Sequence, residues 1–357
     1  MDIEDIKRAS HKKKVQIGII MGILCALYWG IWYVPGYAIW NLPFLADLYV
    51  EGGPLMNHGL SGDTAYLLAC LFLTAINAIA CALVLFIWNG GLGKIKEFKR
   101  TGVEFKAASK YFLFAGLCGA CAVYGTYIAA AFLSPGFAAV AGLLYPIVGT
   151  TLSVLVLKQK VSKRAYLSII VILVGGVTLY AGSIANDATF NTIGLIGGIM
   201  AAVGWGCEGA VAGKALDYCE PDVGLHLRFC FEALFWVIVL IVIACTGIPI
   251  FATIAKMDAI TIFAILMIGL SFAWCYVAWY KAFPMIGVPR GQAIGSLYAM
   301  CGVIFLCIFF GPEGALGSTE TIVIACTILG MIICIIGSLI MATENTEDLV
   351  SLKGDAE

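Results

Sequence analysis

From residue 15 onward the chain alternates between unbroken apolar runs and short polar connections. A helix needs about 20 residues to cross about 30 Å of hydrocarbon at 1.5 Å per residue. Runs of that length predict ten helices, near 15–40, 64–88, 111–133, 137–157, 165–184, 193–213, 223–246, 261–283, 291–310 and 320–341. The short alternating segments of an outer-membrane barrel do not occur. Connections such as Ser134-Pro135-Gly136 read as turns between antiparallel neighbours. The first run follows Lys12-Lys13-Lys14, as a signal peptide would. It is too long for such a segment and no small-residue cleavage site ends it, so it is expected to stay attached.

Basic residues orient the helices. With the N-terminus in the cytoplasm, Lys7 to Lys14, Lys94 to Lys110, Lys158 to Arg164, Lys214, Arg228, Lys281, Arg290 and Lys353 all fall inside. Of the 21 Lys and Arg, Lys256 alone falls outside. The chain is thus expected to be a multi-pass protein of the cell membrane with both termini cytoplasmic. Asp47, Glu51 and Asp63 then lie in an outer loop, 41–63.

The pattern also repeats. The stretches from Leu133 to Tyr180 and from Ile286 to Leu339 each run through small residues, a Tyr about ten residues on, a helix, a polar turn and a Gly-punctuated helix. The expected organisation is a cytoplasmic segment 1–14, a first five-helix repeat 15–184, a second repeat 185–341 and a cytoplasmic tail 342–357. Five helices per half start the second copy on the opposite side of the membrane. Inverted repeats of this kind place a substrate site near the midplane. Gly and Ala in the third, fourth, ninth and tenth runs suit close helix packing.

Composition narrows the function. The chain is 62% hydrophobic and 12% charged, with net charge −1 and mean hydropathy +0.99. Soluble domains carry about 45–50% apolar and roughly 25% charged residues. A soluble enzyme and a disordered chain are excluded, and the lack of a basic field excludes nucleic acid as partner. The fourteen cysteines sit in or beside apolar runs, where they read as small apolar fillers. Cys118 and Cys121 spell C-x-x-C, but inside a helix that stabilises no thiolate. Three scattered histidines and no intramembrane Asp pair offer neither metal site nor catalytic relay, so no cofactor and no enzymatic activity are expected. A phosphate substrate would want Lys or Arg facing the cavity, and none is expected at mid-depth.

Ionisable residues within membrane helices are functional suspects. Glu208 lies about 15 residues into the sixth run, about 22 Å from its outer end, with Trp205 on the same face. With no basic residue expected at that depth, Glu208 is a candidate counter-charge for a bound cation. The plainer reading pairs it with Lys214 near the cytoplasm. Glu232 and Arg228 are expected to form a self-neutralising structural pair one turn apart. His226 reads as interfacial and His58 as an outer-loop residue.

Aromatic residues form the second constellation. Tyr28, Trp29, Trp32 and Tyr33 crowd the first run before Pro35-Gly36, and Tyr124, Tyr127, Tyr145, Trp205 and Tyr298 follow in later runs. Tyr276, Trp279 and Tyr280 share one face of the eighth, which also carries Trp274. An interfacial belt accounts for Trp40 and Trp88 and remains open for Trp32 and Tyr33. It does not account for Trp205 and Tyr124, which are expected near mid-depth. Several rings around one carboxylate suit an organic cation, since cation–π attraction is worth about 2 kcal/mol or more when desolvated.

Ten helices in inverted five-helix repeats resemble the drug/metabolite transporter superfamily, in its EamA-type branch. Four strings resemble bacterial choline-uptake permeases of that superfamily: Tyr28-Trp29-Gly30; Tyr145-Pro146 with Leu157-Lys158-Gln159-Lys160-Val161-Ser162-Lys163; Trp205-Gly206-Cys207-Glu208; and Tyr276-Val277-Ala278-Trp279-Tyr280. The resemblance implies cage roles for Trp29, Trp205, Tyr276, Trp279 and Tyr280, with Glu208 facing the ammonium. Tyr124, Tyr145 and Tyr298 complete the candidate substrate site. The chain departs from the pattern at Lys158 or Gln159, where many EamA-type domains have Glu, and in the outer loop and long N-terminus. The expected partners are a small organic cation and the lipid bilayer, with the chain a monomer or homodimer. The leading reading is a transporter of choline or a related quaternary ammonium, driven by membrane potential. Open alternatives are a proton-coupled exporter of amino acids, polyamines or drugs, and a receptor or scaffold that moves nothing.

Overall fold

The computed structural model describes residues 3–49, 53, 55, 59–133, 135–186, 191–250, 254–255, 257–316 and 319–342. Expectations for Glu51, His58, Ser134, Lys256, Lys353 and the tail from residue 343 lie outside these residues. Among the described residues there is no strand, and ten helical segments are long and apolar enough to span a membrane. Eight are continuous: α1 (Ile3–Ala38), α2 (Gly62–Gly91), α3 (Lys106–Phe132), α5 (Lys163–Asn186), α6 (Thr192–Ala215), α7 (Pro221–Cys245), α8 (Ala259–Ile286) and α10 (Thr321–Ala342). Two are broken in mid-course. These are α4, as Pro135–Gly142 and Tyr145–Leu155, and α9, as Val288–Gly295 and Tyr298–Leu316. Short helices Pro43–Tyr49 and Ile95–Val103 lie in the connections after α1 and α2.

Local sequence explains the starts and stops. Ser61, Asn191 and Asp258 cap α2, α6 and α8 by accepting main-chain N–H groups at 3.3, 2.9 and 2.7 Å. Pro221 opens α7, where its missing N–H costs nothing. Gly287, at φ 80°, ends α8 in a conformation closed to most side chains. The first helix begins well before residue 15, because the basic segment ahead of the apolar run is itself helical.

The two halves pack alike. Gly18 of α1 abuts Met285 and Ile286 of α8, and Gly194 of α6 abuts Phe132 and Leu133 at the end of α3. Trp29-Gly30 recurs as Trp205-Gly206, and the two glycines receive Cys301 of α9 and Val148 of α4. Backbone contact at Gly takes the place of a hydrophobic driving force that lipid cannot supply. Large apolar side chains such as Leu83, Ile87, Leu155 and Ile308 are exposed on the outside of the bundle, as on a lipid-facing surface.

Candidate functional site

Trp29 stands at the centre of the bundle with no exposure. Tyr298 stacks on it at 4.4 Å between ring centroids, and Trp205 meets it edge-on at 4.8 Å. Tyr145, Trp279 and Tyr276 approach it at 5.9, 6.2 and 6.5 Å. Five elements therefore supply one ring cluster: α1, both broken helices, α6 and α8. Tyr145 and Tyr298 each open the second half of a broken helix, so the breaks carry these rings to the centre.

A polar chain runs from the rings to the charges. The Trp205 indole N–H donates to Tyr276 Oη at 3.1 Å, and Tyr276 donates to Glu208 Oε2 at 3.0 Å. Tyr280 donates to Glu208 Oε1 at 3.1 Å. Arg228 completes the shell of Glu208 through Nε at 2.7 Å and Nη2 at 3.0 Å, while its Nη1 donates to Glu232 Oε2. All three ionisable side chains have 0% exposure. The guanidinium carbon also lies over the rings of Phe229 and Tyr276, at 4.0 and 4.8 Å. Gly119 of α3 makes room for it, since a Cβ there would collide with the guanidinium.

This geometry corrects the expectation that no basic residue reaches the depth of Glu208. Arg228 belongs to the buried site rather than to the cytoplasmic loops. Its long side chain reaches inward along α7 toward two carboxylates, which hydropathy along one helix does not reveal. The Arg228–Glu232 pair forms as expected, but as half of a triad. Lys214 pairs with Asp217 at 3.0 Å, not with Glu208. His226, in the second turn of α7, is 2% exposed and stacks on Phe98 at 4.2 Å, so it is packed inside the protein.

Of the candidate residues, the structure brings together Trp29, Tyr145, Trp205, Glu208, Tyr276, Trp279, Tyr280 and Tyr298. Tyr124 stands apart. It donates to the Leu67 carbonyl at 3.3 Å and meets Trp236 edge-on at 5.7 Å. Trp32 is 2% exposed, stacks on Phe272 at 4.9 Å and sends its N–H toward Asn77 Oδ1 at 3.4 Å, so it is no belt residue. Sequence reasoning missed Phe229, Phe272 and Gln292. Phenylalanine in an apolar run carries no pattern that separates site from filler. Gln292, fully buried and donating to the Trp205 carbonyl at 3.3 Å, could have been singled out as an amide inside a predicted span.

Beside the ring cluster the helices part, and at the opposite end side chains fill the space between them. A cleft of about 60 Å³ opens beside the ring cluster, walled by Trp32, Tyr33, Tyr37, Trp40, Tyr127 and Leu306. At the opposite end Val288 fills the space beside Gly213, and Phe283 packs on Gly291 and Trp279. There Asp222, 1% exposed, receives Lys94 at 2.8 Å, Lys281 at 3.0 Å and the Trp88 indole N–H at 3.1 Å. Lys94 lies outside the spans. Burial lowers its pKa, but hydrogen bonds to Asp222 and Glu220 outweigh this and hold it above the usual lysine value.

Residues 65–181 match the EamA-like transporter family. The chain resembles the drug/metabolite transporter superfamily in that branch. It is also 20% identical to Protein LicB of Haemophilus influenzae over 287 residues, covering 80% of this chain and 87% of that protein. A solved crystal structure superposes with TM-score 0.60 at 14% identity, covering 90% of this chain and 97% of the other. At that identity the likeness concerns the fold.

Proposed function

We propose that this membrane transporter carries a small organic cation, choline or a close quaternary ammonium analogue, by alternating access between two five-helix repeats, 15–184 and 185–341. One observation supports the reading above all. A fully buried cluster of Trp and Tyr rings adjoins two carboxylates that share a single guanidinium. Ionised, the triad carries one negative charge in excess, and burial makes that charge costly until a cation arrives. A trimethylammonium group has no N–H donor, so aromatic faces and a carboxylate are the partners it can use. The rings are packed on one another, so Trp29 must move to admit a substrate from the cleft. With both termini cytoplasmic, as the basic residues favour, the cleft faces outward, and an inside-negative potential favours uptake of a cation. An inside-negative potential supplies about 2.3 kcal/mol per charge per 100 mV, close to fifty-fold accumulation without a proton.

Purified protein in liposomes tests this. An imposed inside-negative potential should drive choline accumulation with no pH gradient. Dimethylethanolamine should bind more weakly, and a neutral tert-butyl isostere more weakly still. Uptake that ignores the potential and follows a proton gradient would instead favour the proton-coupled exporter, a reading supported by the same excess carboxylate. A protein that neither shifts its melting curve with choline nor exchanges it loses the substrate reading.

A further inference from the structure

The contacts of Arg228 are those an organic cation would make. Its guanidinium is held bidentately by Glu208 and lies over the faces of Phe229 and Tyr276. A carboxylate and two aromatic faces form a cation site, and the protein fills it with its own side chain. We propose that Arg228 is a tethered stand-in for the transported cation, holding Glu208 while the site is empty and passing wholly to Glu232 when substrate arrives. This rests on the cation-transport reading and adds what guards the empty site.

Charge and geometry carry the proposal together. Empty, Glu208 and Glu232 share one guanidinium. Loaded, Glu208 would face the substrate and Glu232 would keep Arg228, so every buried charge has one partner. Glu232 lies one turn from Arg228 on α7 and already accepts from its Nη1, so that hydrogen bond persists through the exchange. The exchange moves the guanidinium away from the space that Gly119 leaves on α3, which it fills together with Glu208 while the site is empty. A tethered competitor also sets selectivity, because an incoming ion must outbid a guanidinium already in place. An inorganic cation must shed a tightly held hydration shell to reach the ring faces, a cost that a weakly hydrated organic cation largely escapes. Apparent affinity is lowered by the fraction of time Arg228 holds Glu208.

Two variants and two probes test this. Arg228→Met with Glu232→Gln keeps the net charge of the site and frees Glu208. Its choline affinity should rise at least tenfold over the starting protein. Ethylguanidinium at millimolar concentration should raise the melting temperature of this double variant and leave the starting protein unmoved. Glu232→Gln alone leaves Glu208 as the one acidic partner of Arg228, so choline affinity should fall at least tenfold. If ethylguanidinium does not stabilise the folded double variant, Arg228 does not occupy a cation site, whatever choline does. If choline binds all three proteins with equal affinity, Arg228 is a bystander. Stabilisation by ethylguanidinium with no choline binding anywhere would support the stand-in and overturn choline as the substrate. Should the double variant not fold, the Glu232→Gln affinity decides alone.

Discussion

Tyr145 and Tyr298 each donate their hydroxyl to a main-chain carbonyl in the other's broken helix, Tyr145 to Gln292 at 2.6 Å and Tyr298 to Ala139 at 3.1 Å. Each carbonyl lies six residues before the partner tyrosine, so the two bonds match each other across the two broken helices. Each also accepts its own helical N–H, from Ser296 and from Leu143. The pair pins the broken helices together where the chain has interrupted its own hydrogen-bond ladder, and irregular backbone at this depth is tolerated where it is buried in protein.

Because both carbonyls keep a helical donor, Tyr145→Phe and Tyr298→Phe should each cost only about 0.5–1.5 kcal/mol in thermal stability. Gly142→Ala should cost more, about 1–3 kcal/mol, because its methyl group meets the Tyr298 hydroxyl. In the Gly142→Ala/Tyr298→Phe double variant the losses should be less than additive, since removing the hydroxyl makes room. Additive losses in melting temperature would show that the glycine and the tyrosine do not share this contact.

Glu208→Gln keeps the size of the side chain and removes its charge. Choline affinity should fall at least tenfold, about 1.4 kcal/mol. Trp205→Leu should act in the same direction, through a lost ring and a lost donor to Tyr276. Isothermal titration of folded protein reads both, and wild-type affinity in both variants would leave this face of α6 a packing surface.

The two ends of the bundle should respond oppositely to added bulk. Gly36 lines the cleft and a Cβ there meets nothing within 4 Å. Gly36→Trp should therefore fold normally and abolish uptake by filling the cleft. Gly213→Leu must displace Val288, forcing the closed end apart. It should lower the melting temperature by the equivalent of about 1–3 kcal/mol. Normal uptake by Gly36→Trp would show that substrate does not use this cleft.

Asp222 gathers two lysines and an indole at the closed end. Asp222→Asn removes their shared charge and should destabilise this conformation by about 2–3 kcal/mol. That is below the range for a fully buried pair, because both lysines reach solvent. Limited proteolysis of the connection after α2 should speed up in the variant. An unchanged cleavage rate would mean that the ion cluster does not hold this end shut.

The sequence by itself determined the ten spans and their breakpoints in polar turns, because burial in lipid demands long apolar helices and hydropathy reports that demand directly. It also marked Glu208, since an intramembrane carboxylate stands out against an apolar background, with Trp205 on the same face and Trp29 in a string that resembles choline-uptake permeases. Partnership was decided only in three dimensions. Arg228 reads as a cytoplasmic charge on its own helix, yet Glu208 on α6 and the gap at Gly119 on α3 draw it into the core. Tyr124 and Tyr127 lie one turn apart on α3. Tyr127 lines the cleft while Tyr124 turns to Leu67 and Trp236, a difference set by which neighbours α3 packs against. Hydropathy records how deep a residue lies, but the contacts that give a buried charge its meaning come from helices far apart in the chain.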